Sequence, residues 1–216
     1  MNPSEISKTN LIYTRWASSG KSKAEKVGWH CTKDQTSRFE QFLKLQKLTK
    51  KSFVHSSILE VGCGDAQLID FLRKQGITTV DFTGIDINES FVKTAKETFS
   101  GTFIHDEFLS HEFNKTFDFV FASGIFNVNV FQGNTERAYE LLFRTVDKMV
   151  DLTNQGIAFN FLSKQQSKDF ILSGNMQVYD TNKIFKWVKE KGFKTKLVEG
   201  YDELDSTILI AKSKIS

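Results

Sequence analysis

The sequence predicts an α/β protein built on a doubly wound seven-stranded sheet, mostly parallel with one antiparallel strand near the C-terminus. Three observations carry that expectation. Short apolar runs alternate with segments of helical period. A glycine turn joins the first of these runs to a helix. Two β-rich segments follow the last helix with no helix between them, so one of them must enter the sheet antiparallel.

The elements follow in order. ILEV at 58–61 is short and apolar, as a strand buried on both faces should be. Residues 65–75 place Leu68, Ile69, Phe71 and Leu72 at helical spacing, and Gly76 supplies a C-terminal cap. DFTGIDI is the second strand and ends at Asp86; a helix over about 89–99 and Gly101 lead to the short strand TFIH. FDFVFAS at 117–123 reads as a central strand, a long helix covers 135 to about 150, and Gly156 precedes the strand IAFNFL. Residues 163–179 lack a clear period and read as a loop or insertion. NKIFKWVKEKG is the last helix, and FKTKLVEGYD and STILIAKS are the final strands, joined by a short acidic loop. Ahead of this pattern, residues 1–52 form an N-terminal cap and leading helix, with Phe39, Phe42, Leu43 and Leu45 on the apolar side of 35–48. Residues 53–216 form the core, and the whole is a single domain.

Composition excludes some function classes. The chain has 216 residues, 39% hydrophobic and 25% charged, which is ordinary for a packed domain. No apolar run is long enough to span a bilayer or to act as a signal peptide, so no membrane association and a cytoplasmic location are expected. Cys31 and Cys63 are the two cysteines; they show no metal spacing and suit a reducing compartment. Charge is uneven: residues 1–52 carry +7 and the remainder −4. This is either a solvated helix face or a basic lid over an anionic small-molecule acceptor, and it is too dilute to indicate nucleic acid.

The glycine turn points to a nucleotide. Without Cβ atoms, backbone N–H groups can approach a ligand, and the following helix N-terminus favours negative charge. A GxGxxG dinucleotide fingerprint would need its third glycine at 67, where Gln67 stands. Glu60 precedes the turn on the strand, and Asp86 ends the next strand where a carboxylate can hold ribose hydroxyls.

ILEVGCGDA followed by GIDIN resembles the first two motifs of the class I S-adenosylmethionine-dependent methyltransferases. HDEF at 105–108 and FDFVFASGIF at 117–126 resemble the third and fourth, in the same order, and STILIAKS resembles the strand that this family inserts antiparallel. The resemblance covers roughly residues 35–213. It implies a Rossmann-like fold, S-adenosylmethionine as cofactor and S-adenosylhomocysteine as its product. Gly62, Cys63 and Gly64 would then lie against the methionine part, and Glu60 would approach the α-amino group. Asp86 would take the ribose diol with Ile87 flanking adenine; Asp106 would accept from the adenine amine, within the motif that also holds Glu107 and Phe108. Ser123 and Gly124 would lie beneath the sulfonium. Arg38 is placed where some small-molecule members hold the cofactor carboxylate, or else is a surface arginine on an amphipathic helix. Ala66 departs from the pattern, which often has a third glycine there.

Methyl transfer is an in-line displacement that mainly needs alignment and exclusion of water, so no strongly marked catalytic residue is expected. Asn127, Tyr179 and His30 are the candidates for orienting or deprotonating an acceptor, and Tyr13, Trp16 and Trp29 for lining its pocket; each could instead serve packing or a turn. The nucleic-base enzymes show Asn/Asp-Pro-Pro-aromatic where this chain has Ser123-Gly124-Ile125-Phe126, which counts against nucleic acid as a partner. The stretches VGWHCTKDQTSRF, ASGIFNV and FNFLS resemble a bacterial subgroup of small-molecule enzymes. The expected activity is therefore O- or N-methylation of a sugar, nucleotide sugar or secondary metabolite by a monomer or homodimer. The alternatives are a protein or RNA methyltransferase and a non-catalytic S-adenosylmethionine-binding scaffold.

Overall fold

The computed structural model describes residues 1–19, 32–165 and 176–214, and its strands form one sheet. In chain order these are β1 (Ser57–Val61), β2 (Asp81–Asp86), β3 (Thr102–His105), β4 (Phe117–Ala122), β5 (Thr153–Ser163), β6 (Val178–Tyr179), β7 (Phe193–Val198) and β8 (Asp205–Lys214). The described helices are α1 (Pro3–Ser19), α2 (Thr32–Thr49), α3 (Gln67–Lys74), α4 (Glu89–Thr98), α5 (Thr135–Leu152) and α6 (Thr181–Glu190). The sheet order is β3-β2-β1-β4-β5-β8-β7, with the two-residue β6 attached to β5. β8 is antiparallel to both β5 and β7, and every other pairing is parallel. The eighth strand, β6, lies in the stretch that the sequence left as a loop.

Each central strand alternates its side chains between two apolar layers. Leu59, Val120 and Ala122 face the layer built by α5 and α6 through Leu142, Val146, Met149, Ile184 and Val188. Ile58, Phe119 and Phe121 face the opposite layer, closed by α2, α3 and α4 through Phe42, Leu45, Leu68, Leu72 and Val92. Much of the phenylalanine content collects here. Phe53 meets Phe119 edge-on at 4.6 Å, and Phe42 stacks on Phe121 at 5.0 Å.

β1 lies between β2 and β4, so the chain leaves it in opposite directions and a crevice opens at its carboxyl end. α1 covers that crevice. The Glu5 carboxylate accepts from Arg137 Nε of α5 at 3.0 Å. Asn10 Nδ2 donates to the Ile87 carbonyl at 3.2 Å, and Asn88 Nδ2 donates to Asn10 Oδ1 and Thr14 Oγ1 at 2.8 and 3.2 Å. Asn88 also caps α4, its Oδ1 accepting from the Phe91 N–H at 3.1 Å.

Two local expectations shift. Gly156 sits inside β5 rather than before it; a Cβ there would lie 2.6 Å from the Ile210 carbonyl and 3.0 Å from Thr49 of α2, so it is a close-packing glycine. α3 begins at Gln67 instead of 65, because Ala66 adopts φ 63°. Among the described residues, no helix is long and apolar enough to cross a membrane.

Candidate active site

At the carboxyl end of β1 the chain turns through Gly62, Cys63 and Gly64. Gly62 has φ +69°, and a Cβ on it would stand 2.1 Å from Ile125 Cγ2, in the loop after β4. The Gly62 and Cys63 N–H groups donate to the Ile85 carbonyl at 2.8 and 3.2 Å, binding the turn to β2. Gly64, at φ 52°, donates to Asp86 Oδ2 at 2.9 Å. Ala66 takes the left-handed conformation that glycine adopts at least cost, which is the physical content of the missing third glycine. Cys63 packs on Gly84, where a Cβ would lie 2.7 Å from its Sγ. Burial, and then Asp86 and Glu60, push its thiol well up, so it is an unreactive packing group. Gly62→Ala is expected to cost about 2–4 kcal/mol in strain and displaced Ile125. The loss should appear as a lower unfolding midpoint together with altered ligand binding.

Asp86 is half-buried, and its two oxygens accept from the N–H groups of Gly64 (2.9 Å) and Asn88 (2.8 Å). Burial raises its carboxyl above the ordinary range, and these backbone bonds oppose the rise. These bonds leave part of the carboxylate's acceptor capacity unused. Glu60 lies 3% exposed on β1, and its Oε2 has no partner among the described residues. Burial first, and then Asp86 and Asp65, push this carboxyl well above its usual value.

Beyond β3, Asp106 Oδ2 bonds His111 Nδ1 at 2.8 Å and its Oδ1 accepts from the Glu107 N–H at 2.7 Å. The His111 bond is the main reason that the Asp106 carboxyl is held low. Glu107 accepts from the Ser110 N–H at 2.8 Å. Lys148 of α5 fixes this loop, donating to the Leu109 and His111 carbonyls at 3.1 and 2.6 Å over the Phe108 ring. At the end of β4, Ser123 Oγ and Asn127 Oδ1 are buried without partners among the described residues.

These groups share one cavity of about 730 Å³. It is lined by all twelve residues the sequence assigned to the cofactor: Arg38, Glu60, Gly62, Cys63, Gly64, Asp86, Ile87, Asp106, Glu107, Phe108, Ser123 and Gly124. Asn127, Tyr13 and Trp16 line it as well, the two rings meeting edge-on at 5.1 Å. Tyr179 does not line it. Its side chain is 1% exposed in the core, edge-on to Tyr139 at 5.3 Å, because β6 aligns it with β5. His30 and Trp29 lie outside the described residues. Arg38 lines the cavity but is bonded to buried Asp205, with Asp202 at 3.9 Å. The sequence reading missed Tyr201–Leu204 as a cavity wall; the acidic character of that loop was its only signal.

A doubly wound sheet with one inserted antiparallel strand, and a glycine turn facing an acid at its switch point, defines the class I methyltransferase fold. Residues 58–148 match the family of methyltransferase domains. Over 158 residues the chain is 29% identical to Rv1506c of Mycobacterium tuberculosis, a protein assigned by name only to the methyltransferases; the match covers 73% of this chain and 93% of that one. The chain is thus similar to methyltransferases in sequence over residues 58–148. Among solved structures, the plantazolicin methyltransferase BpumL, in complex with a pentazolic desmethyl analogue and S-adenosylhomocysteine, superposes with TM-score 0.63 at 17% identity, covering 97% of this chain and 98% of that one. N-methyltransferase NodS of Bradyrhizobium japonicum, also with S-adenosylhomocysteine, gives 0.62 at 14% identity, with 94% and 97% coverage.

Proposed function

We propose that the chain methylates a small-molecule acceptor with S-adenosylmethionine held in the cavity at the end of β1. The observation that carries this is Glu60, a fully buried carboxylate with an unpartnered oxygen beside a glycine turn in which a Cβ on Gly62 would collide with Ile125. Such an oxygen calls for a cationic donor, and the cofactor's α-ammonium is one. The complexes of both structural neighbours with S-adenosylhomocysteine support the same cofactor. When bound, the cofactor supplies an electrophilic methyl group on positively charged sulfur.

The chain's own residues do the rest. Asp86 offers its remaining acceptor capacity to a ribose diol, already oriented by Gly64 and Asn88. Asp106 accepts from an adenine amine, with Ile87 and Phe108 against the ring. Tyr13 and Trp16 of α1 close the cavity over the site and exclude water. Asn127 Oδ1 and Ser123 Oγ are positioned to accept from the acceptor's N–H or O–H.

An amine acceptor is favoured over a phosphorylated one. Among the described residues, seven acidic ones line the cavity against Lys33 and Arg38, while Lys8, Arg15, Lys44 and Lys47 of the N-terminal segment are exposed. An amine needs only its neutral form to react, which suits a wall at Ser123–Asn127 that carries no titratable base.

Calorimetric titration of S-adenosylmethionine and S-adenosylhomocysteine, with NAD as control, tests the cofactor. Asp86→Ala is expected to weaken S-adenosylhomocysteine by roughly 100-fold or more, the loss of two charge-assisted bonds. Preference for NAD would overturn the reading. A screen of small amines against nucleotide sugars then tests the acceptor.

A further inference from the structure

Two buried polar side chains outside the cavity join its opposite walls. Asn160 on β5 and Asp205 at the start of β8 are both 0% exposed, and neither lines the cavity. Asn160 Oδ1 accepts from the Gly124 N–H at 2.9 Å, and Asn160 Nδ2 donates to Asp205 Oδ1 at 2.7 Å. The other Asp205 oxygen accepts from Arg38 of α2. On one side this relay ends in the Ser123–Asn127 wall. On the other it ends at Arg38 and the Tyr201–Leu204 loop, which runs directly into Asp205.

The chemistry leaves one arrangement open to the amide. Its oxygen is engaged by a donor and its nitrogen by a carboxylate, so a flipped amide would set oxygen against oxygen at Asp205. Gly124 has φ 77°, where the backbone has little intrinsic preference for one peptide orientation. The bond from its N–H therefore decides how the Ser123–Gly124 peptide faces the cavity.

We propose that Asn160 is a positioning residue for methyl transfer: it sets the floor of the site through Gly124, and Asp205 with Arg38 sets Asn160. This rests on the cofactor reading above.

The test uses the full chain, with S-adenosylhomocysteine as calorimetric probe and the Gly124 amide followed by NMR. Asn160→Ala should weaken the probe about 10-fold, as for one buried hydrogen bond, and speed exchange of the Gly124 amide. Asp205→Asn, at a residue that does not itself line the cavity, should move the Gly124 resonance and weaken the probe about threefold, a fraction of that bond. Ser206→Ala, buried on the same strand but outside the relay, should change neither. If Asn160→Ala does not fold, Asn160→Asp keeps an acceptor for Gly124, repels Asp205, and should give an intermediate loss. A folded Asn160 variant with wild-type affinity overturns the proposal, as does an equal loss in Ser206→Ala, which would mean general loosening. Failure of the wild type itself to bind overturns the cofactor reading and this proposal with it.

Discussion

Arg38→Met is expected to cost about 3–5 kcal/mol of stability, because it leaves the Asp205 carboxylate buried without its cation. For a chain of this length that is a fall of roughly 10 °C or more in the unfolding midpoint. Burial raises the Asp205 carboxyl, while Arg38 and Asn160 oppose the rise. Removing Arg38 lets it rise further, so the folded variant holds a proton that its unfolded chain releases. The deficit should therefore grow as pH rises above the ordinary aspartate range and shrink below it. Denaturant unfolding at pH 5 and pH 8 measures this. The double variant Arg38→Met, Asp205→Leu should recover most of the loss, since replacing both charges removes the desolvation cost of each. Full stability in Arg38→Met, with weakened cofactor binding, would instead return Arg38 to the ligand role expected from sequence.

That contrast marks how far the sequence could be read. The family resemblance offered Arg38 as a cofactor ligand, with a surface arginine as the other reading; it does line the cavity, but its fixed partner is 167 positions away on β8. Nothing local announces such a pairing, because it depends on β8 entering the sheet beside β5. Tyr179 shows the same limit: a tyrosine beside an aperiodic stretch looked available for chemistry, yet two residues of parallel pairing to β5 carry it into the core. The turn at Gly62–Gly64 and the acid at Asp86 were legible because their geometry is local to strand ends, where periodicity changes and glycine is required.

α1 was legible as a short helical cap, but not in its bounds. A helix packed on a core shows an apolar stripe, but α1 covers a ligand cavity with Thr9, Tyr13 and Trp16 and is tied at its polar positions by Glu5 and Asn10. Its inner face is mixed, so the usual periodic signal is weak. Glu60 carried a signal in the opposite sense: a carboxylate inside an otherwise apolar strand is costly unless something pairs with it.

Glu60→Gln should therefore separate stability from binding. The wild-type carboxyl is raised by burial, with Asp86 and Asp65 adding to the effect, so the folded state retains a proton that the unfolded chain loses above about pH 4.3. Wild-type stability then falls as pH rises from that point toward the folded value. Glutamine removes the penalty, and the ligand-free variant is expected to gain about 0.5–2 kcal/mol at neutral pH, with the gain vanishing in acid. S-adenosylhomocysteine should bind it about 10- to 100-fold more weakly, for want of one charge-assisted bond. Binding to the wild type should also release a proton as the ligand's ammonium favours the carboxylate, giving an enthalpy that depends on the buffer's ionisation heat; Glu60→Gln should lose that dependence. A variant that gains stability and keeps full affinity would show that the unpartnered oxygen faces something other than the cofactor's amine. Loss of both would make Glu60 a structural group of the turn, engaged in the folded chain whether or not a ligand is bound.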